Sequence, residues 1–172
     1  MKRRLIVILP LLMIAFFLLN LFQQKSIAQE VYIPKNEVIP IESEGFYFTD
    51  LSQSKLFTGF FRSYYDTGDL KLEMFIKDGK PDGPYVVYFQ NARINEVRSY
   101  HNGEFNGIWR SYNENGMLIS QAEYLAGKKH GMWMIWDDNG IRRYEMQYTK
   151  GKKSGIWYMW DEKGKLISEK KY

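Results

Sequence analysis

Residues 107–130 read GIWRSYNENGMLISQAEYLAGKKH, and the same phrase recurs at a constant spacing of 24 residues. The copies begin GFFRSYYDTGDL (59–70), GPYVVYFQNARI (83–94), GIWRSYNENGML (107–118), GMWMIWDDNGIR (131–142) and GIWYMWDEKGKL (155–166). A glycine opens each copy at 59, 83, 107, 131 and 155. An aromatic follows two residues later (Phe61, Tyr85, Trp109, Trp133, Trp157) and another three beyond that (Tyr64, Tyr88, Tyr112, Trp136, Trp160). A fixed period of this length marks a repeat array. Each unit holds two short runs of aromatic and β-branched residues, which suit a pleated sheet. No window carries the 3.6-residue apolar period of a helix.

The connections carry turn chemistry. Asn113-Glu114-Asn115-Gly116 and Asp137-Asp138-Asn139-Gly140 place Asn or Asp first and Gly fourth, as a tight turn requires. Gly79, Gly103, Gly127 and Gly151 each precede a second glycine by four residues, as in GKKHG (127–131), and the glycine-framed trio is expected to reverse the chain again. Each unit is therefore expected to be a β-hairpin that pairs with the next. The fold class is all-β: an elongated, single-layer antiparallel meander of about five 24-residue hairpins. At Asn91-Ala92, where Gly is expected, alanine would have to enter left-handed geometry at a cost of about 1–2 kcal/mol, so a different turn is expected there.

The pattern G-x-W-x-x-Y/W-x-x-x-G-x-L, followed by a Tyr and then N-G-x-x-x-G, resembles the MORN-repeat variant family of bacterial proteins. The segment GFYFTDLSQSKLFTGFF (45–61) resembles the lead into a first repeat of that family. The resemblance spans residues 45–172. It implies an antiparallel repeat sheet and contact with protein or membrane rather than chemistry. Some members are labelled antitoxin-like. That role is the less favoured here, because an exported antitoxin could meet a toxin only outside the cytoplasm.

Residues 1–28 read as a signal peptide. Lys2-Arg3-Arg4 precedes an apolar run from Leu5 to Leu19, and Ser26-Ile27-Ala28 puts small residues at the cleavage positions. Export is expected, to the periplasm, envelope or medium. The alternative is an uncleaved anchor, since Leu5 to Phe22 nearly reaches the roughly 20 residues that span a bilayer. Residues 29–44, with Pro34, Pro40 and four acids, read as an extended linker ahead of the repeat domain at 45–172. Phe46–Phe48 is expected to cover the first sheet edge. The whole chain is +4, but Lys2, Arg3, Arg4 and Lys25 account for all of it. The remainder is neutral, which gives no basis for nucleic-acid binding. The absence of cysteine excludes a disulfide framework and an acylated lipoprotein anchor.

No catalytic constellation is present, and an enzyme is not expected. His101 and His130 fall at different phases of the repeat and read as solvated turn residues, so neither a metal nor a cofactor is expected. Glu73, Glu145 and Glu169 recur at one phase and read as cross-strand partners of Lys or Arg. The aromatics are the functional signal. They either stack into ladders that cover one another or leave a face for a partner. The candidate protein-binding residues are Trp109, Trp133, Trp136, Trp157, Tyr158 and Trp160, with the partner unidentified. Two alternatives are a membrane-surface module, with Lys128, Lys129, Lys152 and Lys153 facing anionic lipid, and an envelope glycan-binding module.

Overall fold

A computed structural model describes residues 38–172. The leader, its cleavage point and most of the linker lie outside the described residues. Thirteen strands follow in order: β1 (Ile41–Ser43), β2 (Phe46–Phe48), β3 (Gly59–Tyr64), β4 (Leu70–Lys77), β5 (Lys80–Tyr88), β6 (Ile94–His101), β7 (Glu104–Phe105), β8 (Gly107–Tyr112), β9 (Leu118–Leu125), β10 (Lys128–Trp136), β11 (Arg142–Thr149), β12 (Lys152–Trp160) and β13 (Leu166–Lys171). β3 to β13 form one open antiparallel sheet in sequence order, with β7 continuing the β8 side of β6. β1 and β2 form a separate hairpin. Ile41–Ser43, placed in the linker by the sequence, is therefore already folded.

The repeat is visible as straight rows across the sheet. One row runs Arg62, Glu73, Val86, Val97, Arg110, Gln121, Met134, Glu145, Tyr158, Glu169. Side chains alternate faces along a strand, so the period of 24 keeps each phase of the repeat on one face of the sheet.

The turns at Asn113–Gly116 and Asp137–Gly140 form as expected, but two other turn expectations need correction. The glycine-framed trio is not the turn. Lys77 pairs with Lys80, Leu125 with Lys128 and Thr149 with Lys152, which leaves two-residue loops between them. Their central pairs all have positive φ: Asp78-Gly79 (47°, 76°), Asn102-Gly103 (50°, 84°), Ala126-Gly127 (47°, 71°) and Lys150-Gly151 (51°, 86°). Positive φ at both centres is the type I′ geometry, whose twist matches that of the flanking strands. The polar trio then opens the next strand, and the second glycine sits inside it at a bulge. His130 lies opposite Glu123 and Met134 opposite Gln121, so four steps along β10 match two along β9. Gly131 (φ 58°) absorbs that mismatch, and a Cβ there would collide with the Glu123 side chain.

Ala92 keeps the common turn after all. Phe89 N donates to Arg93 O at 2.8 Å and Ala92 N to Phe89 O at 2.9 Å, the bonds that Asn113, Met117 and Gly116 make one repeat later. Ala92 takes φ 62°. Asn91 Oδ1 accepts from Arg93 N at 3.0 Å and holds the loop in place. In later repeats the first turn residue does this work: Asn113, Asp137 and Asp161 each accept two backbone N–H bonds through Oδ1.

The lead-in does not pair along β3. Tyr47 N donates to Gly79 O, and Phe57 N to Tyr47 O, both at 2.9 Å, which folds the segment over the first type I′ turn. Phe57, Met74 and Ile76 are buried there, with Tyr47, Phe61, Leu72 and Tyr85 packed against them. Elsewhere in the sheet Tyr148 is also buried.

Candidate functional site

The sheet brings an unbroken aromatic ladder onto one face. Trp109, Tyr124, Trp133, Tyr148, Trp157 and Tyr172 follow one another with ring centroids 5.6, 5.2, 5.3, 5.2 and 4.6 Å apart. The local reason lies in the repeat. The glycine bulge lets a Trp two residues later lean over the previous strand, toward the Tyr that ends that strand. At the bulge the indole also reaches a carbonyl of the previous strand. Trp133 Nε1 donates to Glu123 O and Trp157 Nε1 to Gln147 O, both at 3.0 Å. Ring contacts at this range contribute about 0.5–1.5 kcal/mol beyond the area they bury.

Cations lie along this ladder. Lys129 Nζ sits 4.3 Å from the Trp133 ring centroid and 5.1 Å from that of Tyr148. One repeat on, Lys153 sits 4.5 Å from Trp157 and 4.9 Å from Tyr172. Lys170 is 5.1 Å from Tyr172. All three lysines are exposed. A cation over a ring face is favourable by roughly 0.5–1 kcal/mol at exposed sites. The strip is therefore amphipathic, with aromatic bodies below and ammonium groups above. Beside it opens a cleft of about 220 Å³ lined by Tyr144, Met146, Trp157, Met159, Lys170 and Tyr172, among others.

The six aromatic candidates do not form one patch. Trp109, Trp133 and Trp157 belong to the ladder. Tyr158 stands in the row with Met134 and Glu145, on the opposite face. Tyr158 meets Trp160 at 5.8 Å, and Arg142 lies 4.3 Å over the Trp160 ring. Trp136 holds the same repeat phase as Trp160 and lies apart from the ladder. All six are half-buried. Nor do the four lysines make one basic surface. Lys128 and Lys152 pair with the residues that flank the type I′ turns, while their neighbours Lys129 and Lys153 turn onto the ladder.

Two features of the ladder face went unread. Arg98 stands where other repeats have Met74, Ala122, Met146 and Lys170, and Glu96 where they have Leu72, Ser120, Tyr144 and Ser168. The Arg98 guanidinium lies 4.4 Å over Trp109 and 4.9 Å over Tyr85, and Arg98 Nη2 donates to Glu96 Oε2 at 2.6 Å. Trp109 Nε1 donates to the other Glu96 oxygen. Burial works against the Arg98 charge, but hydrogen bonds to Glu96 and Tyr100 outweigh it and raise the pKa further. Burial also raises the Tyr85, Tyr124 and Tyr148 phenols. Aligning the repeats by phase would have shown Glu96 as the one charged residue at its phase and Arg98 as a charge shared only with Lys170.

Of the three carboxylates read as cross-strand partners, Glu73 meets its base across strands, whereas the base at Glu145 comes from its own strand, β11. Arg62 Nε lies 2.5 Å from Glu73 Oε2, and Arg142 Nη1 contacts Glu145. His130, by contrast, is a strand residue of β10 rather than a solvated turn residue, and its Nδ1 is buried without a hydrogen-bond partner. His101 is exposed, with Nδ1 3.5 Å from Asp82 Oδ2. Among the described residues no group of three or more His, Cys, Asp or Glu side chains could hold a metal ion.

Residues 105–126 and 153–172 match the family model described as MORN repeat variant. Those two segments are similar to MORN repeat variants. The two matched segments lie two periods apart, so the MORN phase also frames the repeat between them. MORN repeats typically build non-catalytic scaffolds, often ones that bind proteins or membranes. No curated protein matches the chain.

Proposed function

We propose that this chain is a non-catalytic scaffold that binds an acidic segment of another protein along the ladder face of its last two repeats. One observation carries the reading: Lys129, Lys153 and Lys170 project from a continuous aromatic surface at Trp133, Tyr148, Trp157 and Tyr172. Aromatic anchors flanked by exposed cations suit a partner with apolar and carboxylate side chains in alternation. The opposite face, with Trp136, Tyr158 and Trp160, is crossed by its own Arg–Glu contacts and is the weaker candidate. The basic start and apolar run ahead of Ala28 support export, so the partner is sought in the cell envelope or the medium.

The test is capture by the tagged chain from envelope and culture fractions, compared with the double variant Lys129→Glu, Lys153→Glu. The reversal leaves the rings in place and inverts the charge above them. One stoichiometric acidic protein, held by the unaltered chain and released by the double variant, supports the reading. Equal capture by both removes this face from consideration. The same lysines suit anionic lipid, so vesicles containing phosphatidylserine form a second arm. Salt-sensitive vesicle binding without a protein partner would put the membrane-surface reading first.

A further inference from the structure

The residue before each bulge glycine has a second task. Thr58, Asp82, Asn106 and His130 hold that place at intervals of 24. Thr58 Oγ1 accepts from Asp78 N at 2.9 Å, Asp82 Oδ2 from Asn102 N at 3.1 Å and Asn106 Oδ1 from Ala126 N at 3.3 Å. Each donor is the first central residue of a type I′ turn, where φ is positive. A side chain near the start of one strand therefore ties down the turn that ends the next. The same spacing assigns Lys150 N to His130, at the turn Lys150-Gly151. There the series is left open. His130 Nδ1, the atom that corresponds to Asn106 Oδ1, is buried without a hydrogen-bond partner.

The acceptors differ in one respect. An amide or hydroxyl oxygen accepts at any pH of interest, whereas an imidazole nitrogen accepts only while it carries no proton. In an imidazolium both nitrogens donate, and Nδ1–H would then face the Lys150 N–H. The groups around His130 decide where its charge would go. β9 contributes Glu123, its direct cross-strand partner, whose carboxylate lies against Gly131. β11 contributes Thr149 and Gln147, both uncharged, since the register of Gly131 with Tyr148 sets Thr149 opposite His130. Lys128 stands two residues earlier on the same strand, and Lys152 pairs with Thr149 from β12. Of these, Glu123 alone attracts an imidazolium by charge.

We propose that His130 is a proton-operated latch on the Lys150-Gly151 turn. As the neutral ring with its hydrogen on Nε2, it accepts the Lys150 N–H through Nδ1 and completes the series. On taking up a proton from solvent it releases that N–H and turns its charge toward Glu123. The bond favours the unprotonated ring, so it holds above the range in which imidazoles titrate and is lost as pH falls through that range. This turn leads directly into β12, so acidity loosens the strand start that carries Lys152 and Lys153. The turns held by Thr58 and Asn106 have no such response. The latch does not depend on what the ladder face binds.

The test is amide hydrogen exchange of the full chain, read residue by residue by NMR. Protection of the Lys150 amide is divided by that of the Ala126 amide, which Asn106 holds at every pH, so the pH dependence of exchange itself cancels. From about pH 8 to about pH 5, the span over which imidazoles take up their proton, the ratio is expected to fall about fivefold, as loss of one hydrogen bond gives. His130→Asn is expected to hold the ratio high throughout, and His130→Ala to keep it low throughout. Glu123→Gln is expected to move the fall to lower pH, because the charged ring loses its partner. A ratio that does not change with pH, or that His130→Ala leaves unaltered, overturns the proposal. So does a fall that persists in His130→Asn. Should the alanine variant fail to fold, the asparagine variant decides, since it repeats the residue that already serves at Asn106.

Discussion

Repeats one and five are built from nearly the same phrase, yet their surroundings differ. Around the first repeat, Phe57, Met74 and Ile76 leave water entirely or nearly so, because the lead-in folds back over the turn at Asp78-Gly79. Around the fifth, every residue of β13 is exposed and the ladder ends on Tyr172, itself 42% exposed. A single-layer sheet buries little by itself, although Tyr148 is buried between its ring neighbours. It gains a core only where a second layer arrives, and here that layer is supplied once. Between the two ends, stability rests on neighbour-to-neighbour ring contacts, as in other quasi-one-dimensional arrays.

The contrast can be broken hardest at Ile76, whose exposure is 0%. Ile76→Ala should cost about 2–5 kcal/mol, read as a fall in the urea midpoint, while Ile167→Ala at the open end should stay within about 0.5 kcal/mol. Equal losses at the two positions would mean that the capped end is not the stable one. Gly155→Ala comes next. It forces a side chain into positive φ (66°) and against the Gln147 side chain. A loss of about 1–2 kcal/mol from the backbone alone is expected, and hydrogen exchange should show β12 and β13 opening before β4. Ala92→Gly acts in the other direction. It relieves φ 62° and should raise stability by up to about 1 kcal/mol, less the entropy that glycine adds to the unfolded chain.

The smallest effect belongs to pH at the capped end. Asp50 accepts hydrogen bonds from Ser52, Ser54 and Thr49, which hold its carboxyl at about 2. A lowered folded pKa means that the loop is favoured above the ordinary carboxylate range and loses that preference as pH falls toward 2. Amide spectra of residues 49–55 should therefore shift on acidification while those of β12 do not follow them.

Much of this was readable from the period. A spacing of 24 with alternating aromatics fixes hairpins, their order and the rows that cross the sheet. The turn was misread because the two glycines of GKKHG look equivalent in sequence. Only pairing across the loop shows that Gly127 turns the chain while Gly131 kinks a strand. Ala92 was misjudged because a local penalty of this size was weighed without the bonds from Phe89, Arg93 and Asn91 that oppose it. Assigning Trp133 and Trp136 to a single site ignored a parity already available: three residues apart on one strand, they lie on opposite faces. The lead-in core was not legible, since no periodic neighbour announces where residues 46–57 return.

The alternation of 11 and 13 residues along the row from Arg62 to Glu169 makes length itself a variable in this protein. Removal of residues 107–130, or duplication of them, would restore the phase of every row at the junction. A change of one residue would instead turn each following side chain to the wrong face. Inheritance of such a sequence therefore favours gain or loss of whole units, and the span between the capped end and the open one can drift in steps of a single repeat.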